Sequence, residues 1–137
     1  MPVYTQYFEK ISYVELTGNL TANEILTSIL KFNRGDKFKK IDVRIIDGRS
    51  ITNALLDLEK MKAFVAVDKR SFIDNEDLTV IFISEDENLI GMFQIYTNMM
   101  SSSPWIFHVV KNINEAEAIC NLKELSIEAY LSNPHKD

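Results

Sequence analysis

Strand-sized runs and segments of helical period follow one another along this chain in a fixed order, and that order restricts the fold more than any other feature. Val3 to Phe8 and Ile11 to Thr17 each alternate with a period of two, the pattern of a half-buried strand. Glu9 and Lys10 between them leave room only for a tight hairpin, so the two runs should pair antiparallel. Thr21 followed by Glu24 is a capping box, in which hydroxyl and carboxylate satisfy orphan backbone donors at a helix start. Ile25, Ile29 and Phe32 then share a face with Leu26 and Leu30. This helix should end between Asn33 and Gly35, where glycine tolerates a left-handed backbone.

Ile41 to Asp47 reads as a third strand, rich in β-branched Val43, Ile45 and Ile46. Gly48, Arg49 and Ser50 read as a loop. A second helix is expected from Thr52 or Asn53, striped by Ile51, Leu55, Leu58, Met61 and Val65, with Lys69 to Asp77 as a polar connector. Leu78 to Ser84 is an apolar run suited to a strand covered on both faces. Ser84 is expected to cap a third helix, with Glu85, Asp86 and Glu87 in its first turn, where carboxylates favour the helix dipole. That helix runs to about Met100, and Ser101 to Pro104 breaks it. Trp105 to Val110 is the fifth strand. Asn112 or Asn114 caps a last helix reaching about Leu131, which Asn133-Pro134 ends. With no linker in sight, residues 1–132 read as one domain and 133–137 as a frayed tail. Strands alternating with helices predict parallel pairing and right-handed crossovers after the hairpin. The expected fold is α/β: a five-stranded mixed sheet with four main helices.

Several function classes fall away. With 15 Lys+Arg against 20 Asp+Glu, the net charge is −5, which disfavours non-specific nucleic-acid binding. The basic group Arg34, Lys37, Lys39 and Lys40 reads as a solvated connector. Cys120 is alone, so cysteine supplies neither an intrachain disulfide nor a zinc cluster, and a reducing, cytoplasmic setting is expected. MPVYTQYFEK is not of the secretory-leader type. No apolar run approaches the roughly 20 residues that span a bilayer, so stable membrane insertion is not expected. Glycines at 18, 35, 48 and 91 write no phosphate-binding loop. His108 has no nucleophile or metal-ligand spacing around it and reads as structural. No catalytic residue, metal or cofactor is expected.

Two candidate surfaces remain. Asp47, Arg49, Ser50, Thr52 and Asn53 gather at the carboxyl end of a predicted parallel strand, where open α/β sheets hold ligands. Arg49 and the helix N-terminus there would suit a small anion or a partner's backbone. On the third helix, apolar side chains cover an arc of roughly 220°, about twice the stripe that packing on one sheet needs. This surplus predicts that Leu89, Ile90, Met92, Phe93, Tyr96, Met99 and Met100, with Trp105, form a homodimer interface or an apolar pocket.

Four segments together resemble the SpoIIAA-like (STAS-like) superfamily, above all its small stand-alone bacterial STAS/SEC14-like proteins. They are YVELTGNLTANEI, IDVRIIDGRSIT ending its strand at Asp47, LTVIFISEDENLIGMFQIYTNMM with Gly91-Met92 and Tyr96, and FHVVKNINEAEAI. The resemblance implies a non-catalytic protein-interaction or regulatory module. Anti-sigma-factor antagonists of this superfamily carry a phosphorylated serine after an aspartate at the start of the second helix. Here that stretch reads Ala54-Leu55-Leu56-Asp57-Leu58, and neither Ser50 nor Thr52 matches the motif. The superfamily also includes lipid-binding CRAL-TRIO domains, which implies an alternative: a carrier or sensor of a small apolar ligand, favoured by a cavity beneath the third helix. A small enzyme is the remaining alternative and requires Asp47, Ser50 or His108 to converge.

Overall fold

A computed structural model describes residues 3–8, 10–55 and 57–120. The elements run β1 (Val3–Phe8), β2 (Ile11–Thr21), α1 (Ala22–Arg34), a 3₁₀ turn (Asp36–Lys40), β3 (Val43–Leu55), α2 (Leu58–Ser71), β4 (Thr79–Ile83), α3 (Glu87–Met99), β5 (Ile106–Val110) and α4 (Ile113–Cys120). The strands lie in one sheet in the order β1-β2-β3-β4-β5. β1 is antiparallel to β2, and every other neighbouring pair is parallel. The mixed α/β sheet expected from the element order is what forms.

The layering follows from the strand order. Each parallel strand is added on the same side of its predecessor, and right-handed crossovers then put every connecting helix on one face. Val80 and Phe82 of β4 meet α1, α2 and α3 there, in a core with Phe64, Phe93 and Met100. Ile81 and Ile83 point the other way, where Ile113 and Ala116 of α4 pack on Tyr13, Ile45 and Val110.

Local signals hold where they are chemically specific. Thr21 Oγ1 accepts from the Glu24 N–H at 3.2 Å, and the Thr21 N–H donates to Glu24 Oε1 at 3.1 Å. Asn112 Oδ1 accepts from the Glu115 N–H at 2.9 Å at the start of α4. The expected continuation of that helix to Leu131, its Asn133-Pro134 stop and the frayed tail lie outside the described residues.

Several local features differ from expectation. Gly35 is extended (φ −79°, ψ 160°), not left-handed, because the chain leaves α1 straight into the 3₁₀ turn that carries Lys37, Lys39 and Lys40. β2 runs four residues past Thr17, to Thr21. This offers a free edge, and β3 pairs along it to Leu55. Gly48, Arg49, Ser50, Thr52 and Asn53 are therefore strand, not loop and helix start. α2 begins at Leu58, with Asp57 Oδ1 accepting from the Lys60 N–H at 2.9 Å, and it runs on to Ser71 in the expected connector. Asp86, not Ser84, caps α3, accepting from the Asn88 and Leu89 N–H groups. Ser84 instead accepts from the Asp86 N–H at 3.1 Å.

The extended β3 is not regular. The register passes from Glu15↔Asp47 to Thr17↔Ser50 and from Gly18↔Ile51 to Asn19↔Asn53, so β3 twice takes one residue more than β2. Such bulges re-aim the side chains beyond them. Gly18 opposite them sits at φ +68°, a left-handed conformation that favours glycine. Gly48 lies against the Phe82 ring: a Cβ there would stand 2.9 Å from Cζ and 3.1 Å from Cε1. That ring is itself stacked on Phe93 with centroids 4.7 Å apart, so any retreat disturbs the stack. Gly48→Ala is therefore expected to cost about 1–3 kcal/mol in a urea titration. A loss below measurement error would show that the ring yields.

Candidate functional site

A buried charge network sits between the sheet and its three helices. Arg44 shares a face of β3 with Ile46, and Asp68 continues the apolar stripe of Met61 and Val65 on α2. Arg44 is 5% exposed and Asp68 1%. Charges so far from water survive only when partnered. Arg44 Nη1 lies 3.5 Å from Asp68 Oδ1, and Nη2 donates to Asn33 Oδ1 at 2.5 Å. Asn33 Nδ2 donates to Asp68 Oδ1 at 2.9 Å and to Ser71 Oγ at 3.0 Å. The Tyr96 hydroxyl donates to Asp68 Oδ2 at 2.5 Å. Burial, and then the Asp68 charge, push that hydroxyl well above its ordinary pKa, so it stays a donor. Phe32, Phe38 and Trp105 surround the guanidinium at 5.2, 5.5 and 5.6 Å from their ring centroids. One donor is left over: Arg44 Nε has no hydrogen-bond partner among the described residues.

Beside this network lies a half-open apolar cavity of about 140 Å³. β2 gives Leu16 and Leu20 to its wall, α1 gives Ile25 and Ile29, and α3 gives Leu89 and Met92. Ile51 and Ala54 reach it from the bulged end of β3. Thr5 and Ser28 bring hydroxyls to its wall, and Arg44, Asp68 and Tyr96 link it to the network. An engineered apolar cavity of about 150 Å³ in another protein stays dry and takes up benzene.

The sequence-predicted residues fall in different places. Asp47 is 2% exposed and committed within the chain. Its Oδ1 accepts from the Arg49 N–H and Nε at 3.0 Å each, and its Oδ2 from Arg49 Nη2 at 2.9 Å and from the Tyr13 hydroxyl. Burial alone would push the Asp47 carboxyl up. The hydrogen bonds from Arg49 and Tyr13 outweigh it and hold the carboxyl below its ordinary value. Burial and the bond to Asp47 push the Tyr13 hydroxyl up, and the bond to Asp47 raises Arg49 further. Ser50, Thr52 and Asn53 stand exposed on the β3 extension, where Thr52 Oγ1 reaches Asn19 Oδ1 at 3.4 Å. No hydrogen bond among the described residues joins Asp47 to Ser50 or His108. No group of three His, Cys, Asp or Glu among them is placed to hold a metal ion. Burial and the nearby Glu117 push the Cys120 thiol up to about 11.

Of the residues expected to form an interface or pocket, Phe93, Tyr96, Met100 and Trp105 are buried in the core. Leu89, Ile90, Met92 and Met99 are half-buried. The sheet, α2 and the Trp105 segment bury Phe93, Tyr96 and Met100 and part of the remaining apolar arc of α3, while Ile95 faces solvent. The sequence reading missed Arg44, Asp68 and Asn33. The usable signal was a polar residue at a core-facing position: Arg44 two before Ile46, Asp68 seven after Met61, Asn33 four after Ile29.

No protein-family model and no curated protein matches this sequence. Solved structures do. The unphosphorylated anti-sigma factor antagonist SpoIIAA aligns with a TM-score of 0.54 and 13% identity over 90% of this chain and 99% of its own. The phosphorylated Bacillus cell fate determinant SpoIIAA aligns with a TM-score of 0.54 and 12% identity, over 86% and 98%. An uncharacterized DUF3478-family protein with a SpoIIAA-like fold from Shewanella loihica aligns with a TM-score of 0.50 and 15% identity, over 85% and 90%. Alignment over most of both chains at such low identity identifies the architecture alone, and this chain has the SpoIIAA-like, STAS-like α/β fold.

Proposed function

We propose that this chain is a non-catalytic binding module that holds a small apolar molecule between its sheet and the α1–α3 layer. The observation that carries this reading is the cavity of about 140 Å³ walled by leucine, isoleucine and methionine side chains. Pockets of this kind, apolar with a few fixed polar groups, are the usual form of small-molecule sites. The placement of α3 weighs the same way. Leu89, Met92, Phe93 and Tyr96 line the cavity, which favours a pocket over an interface for this part of α3. Asp47 is saturated by its own neighbours, which argues against a catalytic role for it. The start of α2, Asp57-Leu58-Glu59, carries no serine, so occupancy of the cavity and not phosphorylation there is the proposed signal. The likeness to an anti-sigma factor antagonist supports a regulatory output read by a protein partner.

Toluene is a probe of the right size. At ten times its Kd it adds about 1.4 kcal/mol to stability, which raises Tm by roughly 3–6 °C in a domain this small. Met92→Trp, which places an indole at the cavity wall, abolishes that rise. A Tm and a set of methyl resonances that ignore toluene would remove the reading.

A further inference from the structure

We infer that the molecule this cavity takes is neutral and carries one hydrogen-bond-accepting oxygen, an alcohol, ketone or ether, which receives the Nε–H of Arg44. The inference rests on the cavity reading above and deepens it.

It follows from a count of charges and donors. Arg44 and Asp68 both line the cavity, and their charges cancel at 3.5 Å. Every other polar group of the network is occupied. Both Asp68 oxygens accept, from Asn33 and Tyr96. Asn33 Oδ1 is taken by Arg44 Nη2, and the Tyr96 proton is given to Asp68. The network atom that remains is Arg44 Nε, buried and with no acceptor among the described residues. A buried donor left unmatched is costly, most of all on a charged group.

Three ligand chemistries can be ranked against that count. A pure hydrocarbon fills the space and leaves Nε unmatched. A carboxylate satisfies Nε but adds a negative charge to a neutral pair inside apolar walls, beside Asp68 itself, and buried uncompensated charge is strongly disfavoured. A neutral oxygen satisfies the donor and leaves the balance unchanged. The volume admits about one six-membered ring with a small substituent. Arg44 would thus orient the ligand, while the surrounding side chains supply most of the affinity.

The test is a set of three probes sharing one ring: benzyl alcohol, toluene and benzoate, titrated into the full chain and followed by the methyl resonances of cavity-lining residues. Benzyl alcohol is expected to bind at least as tightly as toluene, although water solvates it better, and at least tenfold more tightly than benzoate. Arg44→Lys keeps a positive charge beside Asp68 but lacks the Nε–H. It should weaken benzyl alcohol about tenfold and leave toluene within twofold. Should that variant fail to fold, the wild-type ranking decides. Benzoate binding tightest would overturn the inference in favour of an anionic ligand. Toluene binding tightest, with Arg44→Lys changing nothing, would remove the role of Nε and leave the cavity reading standing. Failure of all three probes to bind would remove both.

Discussion

Asp68→Ala is expected to lower the free energy of unfolding by about 3–5 kcal/mol, the usual cost of removing one partner from a buried ion pair. The loss is large because Arg44, 5% exposed, would keep its charge without the carboxylate that pairs with it among the described residues. The Tyr96 hydroxyl and the Asn33 amide would lose their acceptor in the same step. Against a typical total of about 5–15 kcal/mol, one substitution would consume much of the margin. Urea titration of the variant beside the wild type measures it. The double variant Arg44→Met, Asp68→Leu separates pairing from shape: with neither charge present, most of the stability should return. A single-variant loss under about 1 kcal/mol would mean that water reaches Arg44.

Asp47→Asn is expected to cost about 1–3 kcal/mol at neutral pH and to flatten the acid limb of the stability profile. The Arg49 side chain is 39% exposed, so solvent screens much of that pairing. The bonds from the Tyr13 hydroxyl and the Arg49 backbone N–H carry more of the effect. The carboxyl is held below its ordinary value in the folded chain, while the unfolded value is about 3.9. The ionised form is therefore favoured by folding. Its contribution is complete above the unfolded value and disappears as the pH falls through the folded one. Wild-type stability should drop more steeply than that of Asp47→Asn below about pH 4. Parallel profiles for the two proteins would refute the assignment.

What could be read in advance follows from the range of the interactions. The capping box at Thr21 and Glu24 acts over three residues, and its outcome was legible. So was the sheet, because period-two runs separated by helices leave few arrangements. The outer half of β3 was not. Ile51, Leu55 and Leu58 fit a helical stripe, and only the presence of β2's tail alongside makes residues 51–55 strand. Asp47 and Arg49 were legible as residues that act together, but their bonds close on each other. The cavity was invisible because its walls come from seven elements. The network joins residues 11 to 38 apart in sequence. The α3 arc counted greasy residues correctly. A sequence does not state which of them the neighbours will cover.

The spatial strand order, β1-β2-β3-β4-β5, repeats the order of synthesis. Each strand after the first, on leaving the ribosome, finds one neighbour already made, waiting as an open edge. No later segment has to be threaded between two that have paired. Assembly can proceed like laying planks, one beside the last, with each crossover helix closing over the plank before it.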